Sequence, residues 1–105
     1  MDKTDVIIIA NQYAEALTEK YNLVKIILFG SYAKGNFHKE SDIDIAVVFK
    51  DYDNVIKMQL ELMRLRRKID SRIEPHPFRE SEFNISNPFV NEIIKYGKEL
   101  KHEIA

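Results

Sequence analysis

The sequence contains no cysteine. Disulfides, thiolate metal sites and cysteine nucleophiles are thereby excluded together, and a reducing cytoplasm is the expected compartment. Glycine and proline number three each in 105 residues, too few for a collagen-like or linker-like chain. Long apolar runs are also missing. Val6 to Ala10 and Ile26 to Phe29 fall far short of the roughly 20 residues that span a bilayer, so no membrane partner is expected. The start, Met1-Asp2-Lys3-Thr4-Asp5, is too acidic for a signal peptide. Neither sign of charge dominates: 16 Lys and Arg face 17 Asp and Glu, a formal net charge of −1. No global basic field draws nucleic acid, and no direct nucleic-acid partner is expected. What remains is 45% hydrophobic and 31% charged, the balance of a globular protein, and its length suits one domain, residues 1–105.

The hydrophobic pattern alternates between helical and strand periods. Thr4 or Asp5 can cap a helix to about Tyr21, with Ile8, Ala10, Tyr13, Ala14 and Leu17 on its apolar side. Leu23 to Phe29 is a β-branched run of strand length ended by Gly30. Residues 31–41 predict a loop with one helical turn, and Ile43 to Phe49 a second strand. Asp51 or Asp53 then caps a long helix to about Lys68, with Val55, Ile56, Met58, Leu60, Leu62, Met63 and Leu65 as its apolar positions. Residues 70–75 predict a short third strand, because Pro75 and Pro77 stop a helix there. Pro88 opens a last helix behind Asn87, Gly97 caps it, and residues 98–105 can add an edge strand. The order αβ(α)βαβα predicts an α/β fold, a small mixed sheet packed with helices.

Chemistry concentrates in Leu28-Phe29-Gly30-Ser31-Tyr32-Ala33-Lys34-Gly35 and Ser41-Asp42-Ile43-Asp44-Ile45-Ala46-Val47. Alternate strand residues share a face, so Asp42 and Asp44 project together while Ile43, Ile45 and Val47 face the core. Two adjacent carboxylates repel, and a divalent cation removes that penalty; hard oxygen ligands suit Mg²⁺ or Mn²⁺. Such a pair can hold two ions about 3.5–4 Å apart, as in-line nucleotidyl displacement uses. A bare Asp-x-Asp is more often a solvated strand entrance, so the preceding loop decides. Gly30 permits close backbone approach, and Ser31 with the following amides can donate to phosphate. Gly30 and Gly35 match half of a P-loop, but Asn36-Phe37 stand where Lys-Ser/Thr is needed. No GxGxxG occurs either, which removes a dinucleotide fold.

Phe29-Gly30-Ser31, then ten intervening residues, then Asp42-Ile43-Asp44-Ile45 follow the pattern hG-S-x(n)-[DE]-h-[DE]-h. In this the chain resembles the nucleotidyltransferase superfamily that includes DNA polymerase beta. Its size is that of the minimal nucleotidyltransferases, partners of HEPN-domain toxins. The resemblance implies that Gly30 and Ser31 hold the triphosphate of ATP or another nucleotide, and that Asp42 and Asp44 bind Mg²⁺. It also implies a third carboxylate on the next strand. Glu74, beside Pro75 at the strand end, is favoured over Asp70, which can instead end the helix or pair with Arg72. Lys34 and Lys39 flank the loop and can screen phosphate charge, although a solvated lysine is the commoner role. His38 and His76 are weak candidates to touch nucleotide or metal and read more readily as surface histidines, with no zinc spacing. Arg64, Arg66, Arg67 and Lys68 read first as a solvated face, with a partner surface or nucleic-acid contact as the less common alternative. Larger members of the superfamily hold acceptors on additional domains, so here the acceptor is expected to be another protein, met through Leu60, Met63 or Phe89. Two functions follow: adenylylation of a HEPN toxin by Asp42, Asp44 and Glu74, or neutralisation of that toxin by binding alone.

Overall fold

The computed structural model describes residues 3–38 and 41–100. Lys39 and the end of the expected tail strand lie outside the described residues. Helix α1 (Lys3–Lys20) leads to β1 (Leu23–Phe29), the short helix α2 (Ser31–Lys34) and β2 (Ile43–Phe49). Helix α3 (Val55–Arg66) crosses to β3 (Ile73–Arg79). A 3₁₀ turn (Glu80–Glu82), helix α4 (Pro88–Tyr96) and strand β4 (Lys98–Glu99) complete the order. The sheet runs β3-β2-β1-β4. β1 pairs antiparallel with β2 and β4, whereas β2 and β3 are parallel, as a strand–helix–strand crossover requires. The expected small mixed sheet with helices is the observed one.

Strand alternation separates two faces. Ile26, Leu28, Ile43, Ile45, Val47 and Ile73 pack with Val6, Tyr13 and Leu17 of α1 and Leu62 of α3, all fully buried. Ile27, Phe29 and Ala46 face the other way and meet Ile93 of α4, with Phe78 and Phe83 alongside. Both β1 and β2 are buried on two sides, which is why each reads as a continuous apolar run. Among the described residues no helix is long and apolar enough to cross a membrane.

Three expectations need correction. Ile8 is 52% exposed, and Val6 takes its place in the core. Asn54 caps α3, its side chain accepting from the Lys57 N–H at 3.0 Å. Asp51 instead accepts from Arg79 Nε at 2.9 Å, and α3 ends at Arg66 rather than Lys68. Finally, β3 begins at Ile73 and runs through both prolines to Arg79. Among the described residues this edge strand pairs only with β2, so proline is tolerated wherever its missing N–H would face outward. The outward carbonyls of Ile73 and Pro75 are taken by Arg66 Nη1 (2.8 Å) and Gln59 Nε2 (2.9 Å), which closes the edge from α3.

Candidate active site

The site forms where β1 breaks into α2. Gly30 holds φ at +79°, the left-handed region that favours glycine. Its lack of a side chain serves a second purpose. A Cβ there would collide with the Asp44 carboxylate, lying only 3.2 Å from the carboxyl carbon. Phe29 and Asp44 are cross-strand partners, so the pleat itself carries that carboxylate over the Gly30 turn. Gly35, at φ +85°, closes α2 with its N–H on the Ser31 carbonyl at 2.9 Å. The return loop is pinned as well. Ser41 Oγ accepts from the His38 N–H at 3.0 Å, and the Ser41 N–H donates to the His38 carbonyl at 2.9 Å. Buried Tyr32 stacks on Phe37, with centroids 4.6 Å apart.

Asp44 lies in register with Glu74 on the parallel neighbour, and Ala46 with His76. Glu74 and His76, two residues apart, therefore share the face of Asp44. His76 is no plain surface histidine: its Nε2 lies 3.1 Å from Asp44 Oδ1, and its ring packs edge-on against Phe29 at 5.0 Å. Glu74 Oε2 is 3.6 Å from Arg66 Nη1. Asp42, exposed, sits one residue before β2 begins. Asp70 does not share a strand face with Glu74. It precedes β3 and accepts from the Arg72 N–H (2.9 Å), Nε (3.0 Å) and Nη2 (2.8 Å). Those charged hydrogen bonds hold its carboxyl below the usual carboxylate range, against the opposing pull of partial burial. Asp70 is thus the partner of Arg72, and the carboxylate beside Asp44 is Glu74.

Residues 11–103 match the family model described as polymerase beta, nucleotidyltransferase. The chain belongs to the polymerase beta-like nucleotidyltransferase family. Among its relatives is a Methanocaldococcus jannaschii protein provisionally named protein adenylyltransferase MJ0604, 47% identical over 85% of this chain and 91% of that protein. The protein adenylyltransferase MntA of Shewanella oneidensis is 36% identical over 71% of this chain and 51% of its own length. A crystal structure of a toxin–antitoxin with AMP-PNP superposes with a TM-score of 0.69, at 30% identity over 90% of this chain and 73% of that one.

Lys34 of this nucleotidyltransferase is paired rather than simply solvated. Its Nζ meets Glu92 of α4 and lies 5.0 Å from the Tyr96 ring centroid. Phe29, Gly30, Lys34, Phe89, Glu92 and Tyr96 line a cleft of about 140 Å³ beside the turn. Asp42, Asp44 and Glu74 offer only carboxylate oxygens, a donor set that fits a hard divalent ion, and Asp44 and Glu74 are in register. Among the described residues no three such groups converge on one point, since Asp44 faces His76 and Glu74 faces Arg66. The sequence offered His76 only as a weak candidate, and its stronger signal is the two-residue step from Glu74. The sequence missed Glu92, 58 positions from Lys34, for which no local pattern exists.

Proposed function

We propose that this nucleotidyltransferase moves AMP from ATP to a hydroxyl side chain of a protein, and that the acceptor is a HEPN-domain toxin which the modification silences in the cytoplasm. The observation that carries this reading is the Asp44 carboxylate seated on the Gly30 turn, with Glu74 in register beside it. A phosphate turn and two carboxylates on neighbouring strands in register are what transfer at an α-phosphate needs. The relatives named as protein adenylyltransferases, and the toxin–antitoxin with AMP-PNP, support the choice of nucleotide and of a toxin partner.

The roles divide as follows. Gly30 lets phosphate oxygens approach the backbone, and the Ser31 hydroxyl and the first amides of α2 donate to them. Lys34, once released from Glu92, adds positive charge. Asp42, Asp44 and Glu74 are the residues that would hold divalent ions, two Mg²⁺ or Mn²⁺, whose chemistry there is to offset phosphate charge. His76 fixes the orientation of Asp44 from the third strand. The acceptor oxygen bonds to the α-phosphorus, the bond to pyrophosphate breaks, and Glu74 takes the hydroxyl proton. The attached AMP brings negative charge and bulk to a surface built for RNA phosphates, so substrate is repelled and blocked.

Intact-mass spectrometry of the toxin after incubation with ATP, Mg²⁺ and this chain tests the reading. The expected result is addition of one or more AMP groups, abolished by Asp44→Asn. Equal neutralisation by Asp44→Asn with no added mass would make the chain a binding antitoxin instead.

A further inference from the structure

Helix α3 carries more apolar side chains than the core uses. Of its seven apolar positions only Leu62 is fully buried; Ile56 is 70% exposed and Leu60 53%. Ile56, Leu60, Arg64 and Arg67 recur at steps of four, four and three residues, which places them on one outward line along the helix. The line changes character along its length. It is apolar at the start of α3 and basic at its end, where exposed Arg64, Arg67 and Lys68 cluster. Lys57 flanks the apolar part. None of these four cations has a carboxylate partner among the described residues, although the chain as a whole holds more acids than bases. Arg66, in the same turn, reaches inward to Glu74, so the basic end of the line abuts the candidate active site.

Buried basic clusters need counter-charges, and exposed ones normally find them in neighbouring acids or in water. An apolar strip continuous with unpaired cations is different: water serves its first half poorly, and RNA, which matches the cations, offers nothing to Ile56 and Leu60. A protein surface that sets apolar side chains beside carboxylates satisfies both halves.

We propose that the outer line of α3 is the docking surface for the acceptor toxin, which meets Ile56 and Leu60 with an apolar ridge and Arg64, Arg67 and Lys68 with carboxylates. Docked there, the toxin reaches the Asp44–Glu74 edge around the end of α3. This inference rests on the proposed function, because it takes the toxin as the occupant.

The experiment measures binding of a HEPN-domain toxin, by calorimetry, to Asp44→Asn protein so that no transfer intervenes. Two surface variants are added to that background: Ile56→Asp with Leu60→Asp, and Arg64→Glu with Arg67→Glu. All four positions are solvent-facing, and unchanged circular dichroism and ATP affinity confirm that the fold survives. The apolar pair should weaken binding by about tenfold or more, as truncation of interface anchors does. The charge pair should slow association and flatten its salt dependence. In otherwise native protein, both pairs should raise the KM for toxin with kcat little changed. Toxin modified by the native chain at a KM that neither pair alters would overturn the docking surface while leaving the transferase reading intact. A native chain that neither binds nor modifies the toxin would overturn both. Loss of self-association in the apolar pair, with toxin affinity unchanged, would assign the line to a second copy; RNA binding lost in the charge pair alone would assign it to nucleic acid. Either result rejects the proposal.

Discussion

The two faces of the sheet are built from the same strands and do opposite work. On one face α1 and α3 seal a cluster in which Tyr13, Leu28, Ile43, Ile45, Leu62 and Ile73 are completely buried. Its buried phenols are satisfied too: Tyr13 donates its hydroxyl to the Leu62 carbonyl at 2.8 Å, and burial pushes its pKa well above the usual phenol value, which keeps the donor protonated. On the other face the buried cluster is small, Ile27, Phe29, Ala46 and Ile93, and beyond it stand Asp44, Glu74 and His76. α4 covers only part of that surface and leaves Phe89 45% exposed beside the cleft. A two-residue period thus lets one strand anchor the fold with odd positions and present chemistry with even ones. The sealed face holds the open one in place.

Adjacent residues test that division most sharply. Ile45→Ala empties a fully buried site on the sealed face and should cost about 2–5 kcal/mol, a large share of a small domain's stability. Asp44→Asn, one residue earlier, keeps the shape of the side chain and removes a charge from the open face. It should abolish transfer while shifting the urea midpoint little. Urea denaturation and a radiolabelled transfer assay on both variants give the comparison. Loss of stability in Asp44→Asn equal to that in Ile45→Ala would break the distinction between the faces.

A finer division exists at the start of β3. Glu74 lies in register with Asp44, whereas Asp70 is consumed by three hydrogen bonds from Arg72. Glu74→Gln should therefore reduce transfer about as severely as Asp44→Asn, because groups acting as a unit are not additive. Asp70→Asn should leave most of the activity. The opposite ranking in the same assay would move the third carboxylate to Asp70.

Much of this was legible in the sequence, for identifiable reasons. β1 and β2 read as β-branched runs, and Gly30-Ser31 with Asp42-x-Asp44 picks out the two segments whose Gly30 turn and Asp44 carboxylate the fold sets together. Asn87-Pro88 reads as a helix start because local chemistry alone decides it: Asn87 Oδ1 accepts from the Phe89 and Val90 N–H groups. What failed was non-local. Pro75 and Pro77 look like terminators unless β3 is known to be an edge whose outward carbonyls α3 satisfies. A strand that ends at Pro75 leaves His76 off the face of Glu74, where it reads as a surface histidine. The apolar positions of α3 do not sort themselves into core and contact surface, because the pattern records hydrophobicity and not what will cover it. Gly97 shows a subtler limit. It follows α4 as a capping glycine should, yet its φ is −73°, and the reason for glycine is close packing: a Cβ would collide with the Ile93 carbonyl and the Ile27 side chain.

The smallest effect separates the same two carboxylates by stability rather than activity. The hydrogen bonds from Arg72 depress the Asp70 pKa, so its folded-state value lies below its unfolded one. A group of that kind contributes stability that is present above the unfolded pKa, near 4, and is lost as pH falls through the folded value. Asp70→Asn cannot titrate. The stability difference between native protein and Asp70→Asn should therefore be constant from neutral pH down to about pH 5. Below about pH 4 it should shrink, as protonation deprives the native protein of its charged pair. Urea midpoints measured at intervals between neutrality and pH 3 read this directly. A difference that stays the same across that range would mean that the Arg72 contacts orient the turn into β3 without discriminating between the two charge states of Asp70, and Asp70 would stand on the same footing as any neutral cap.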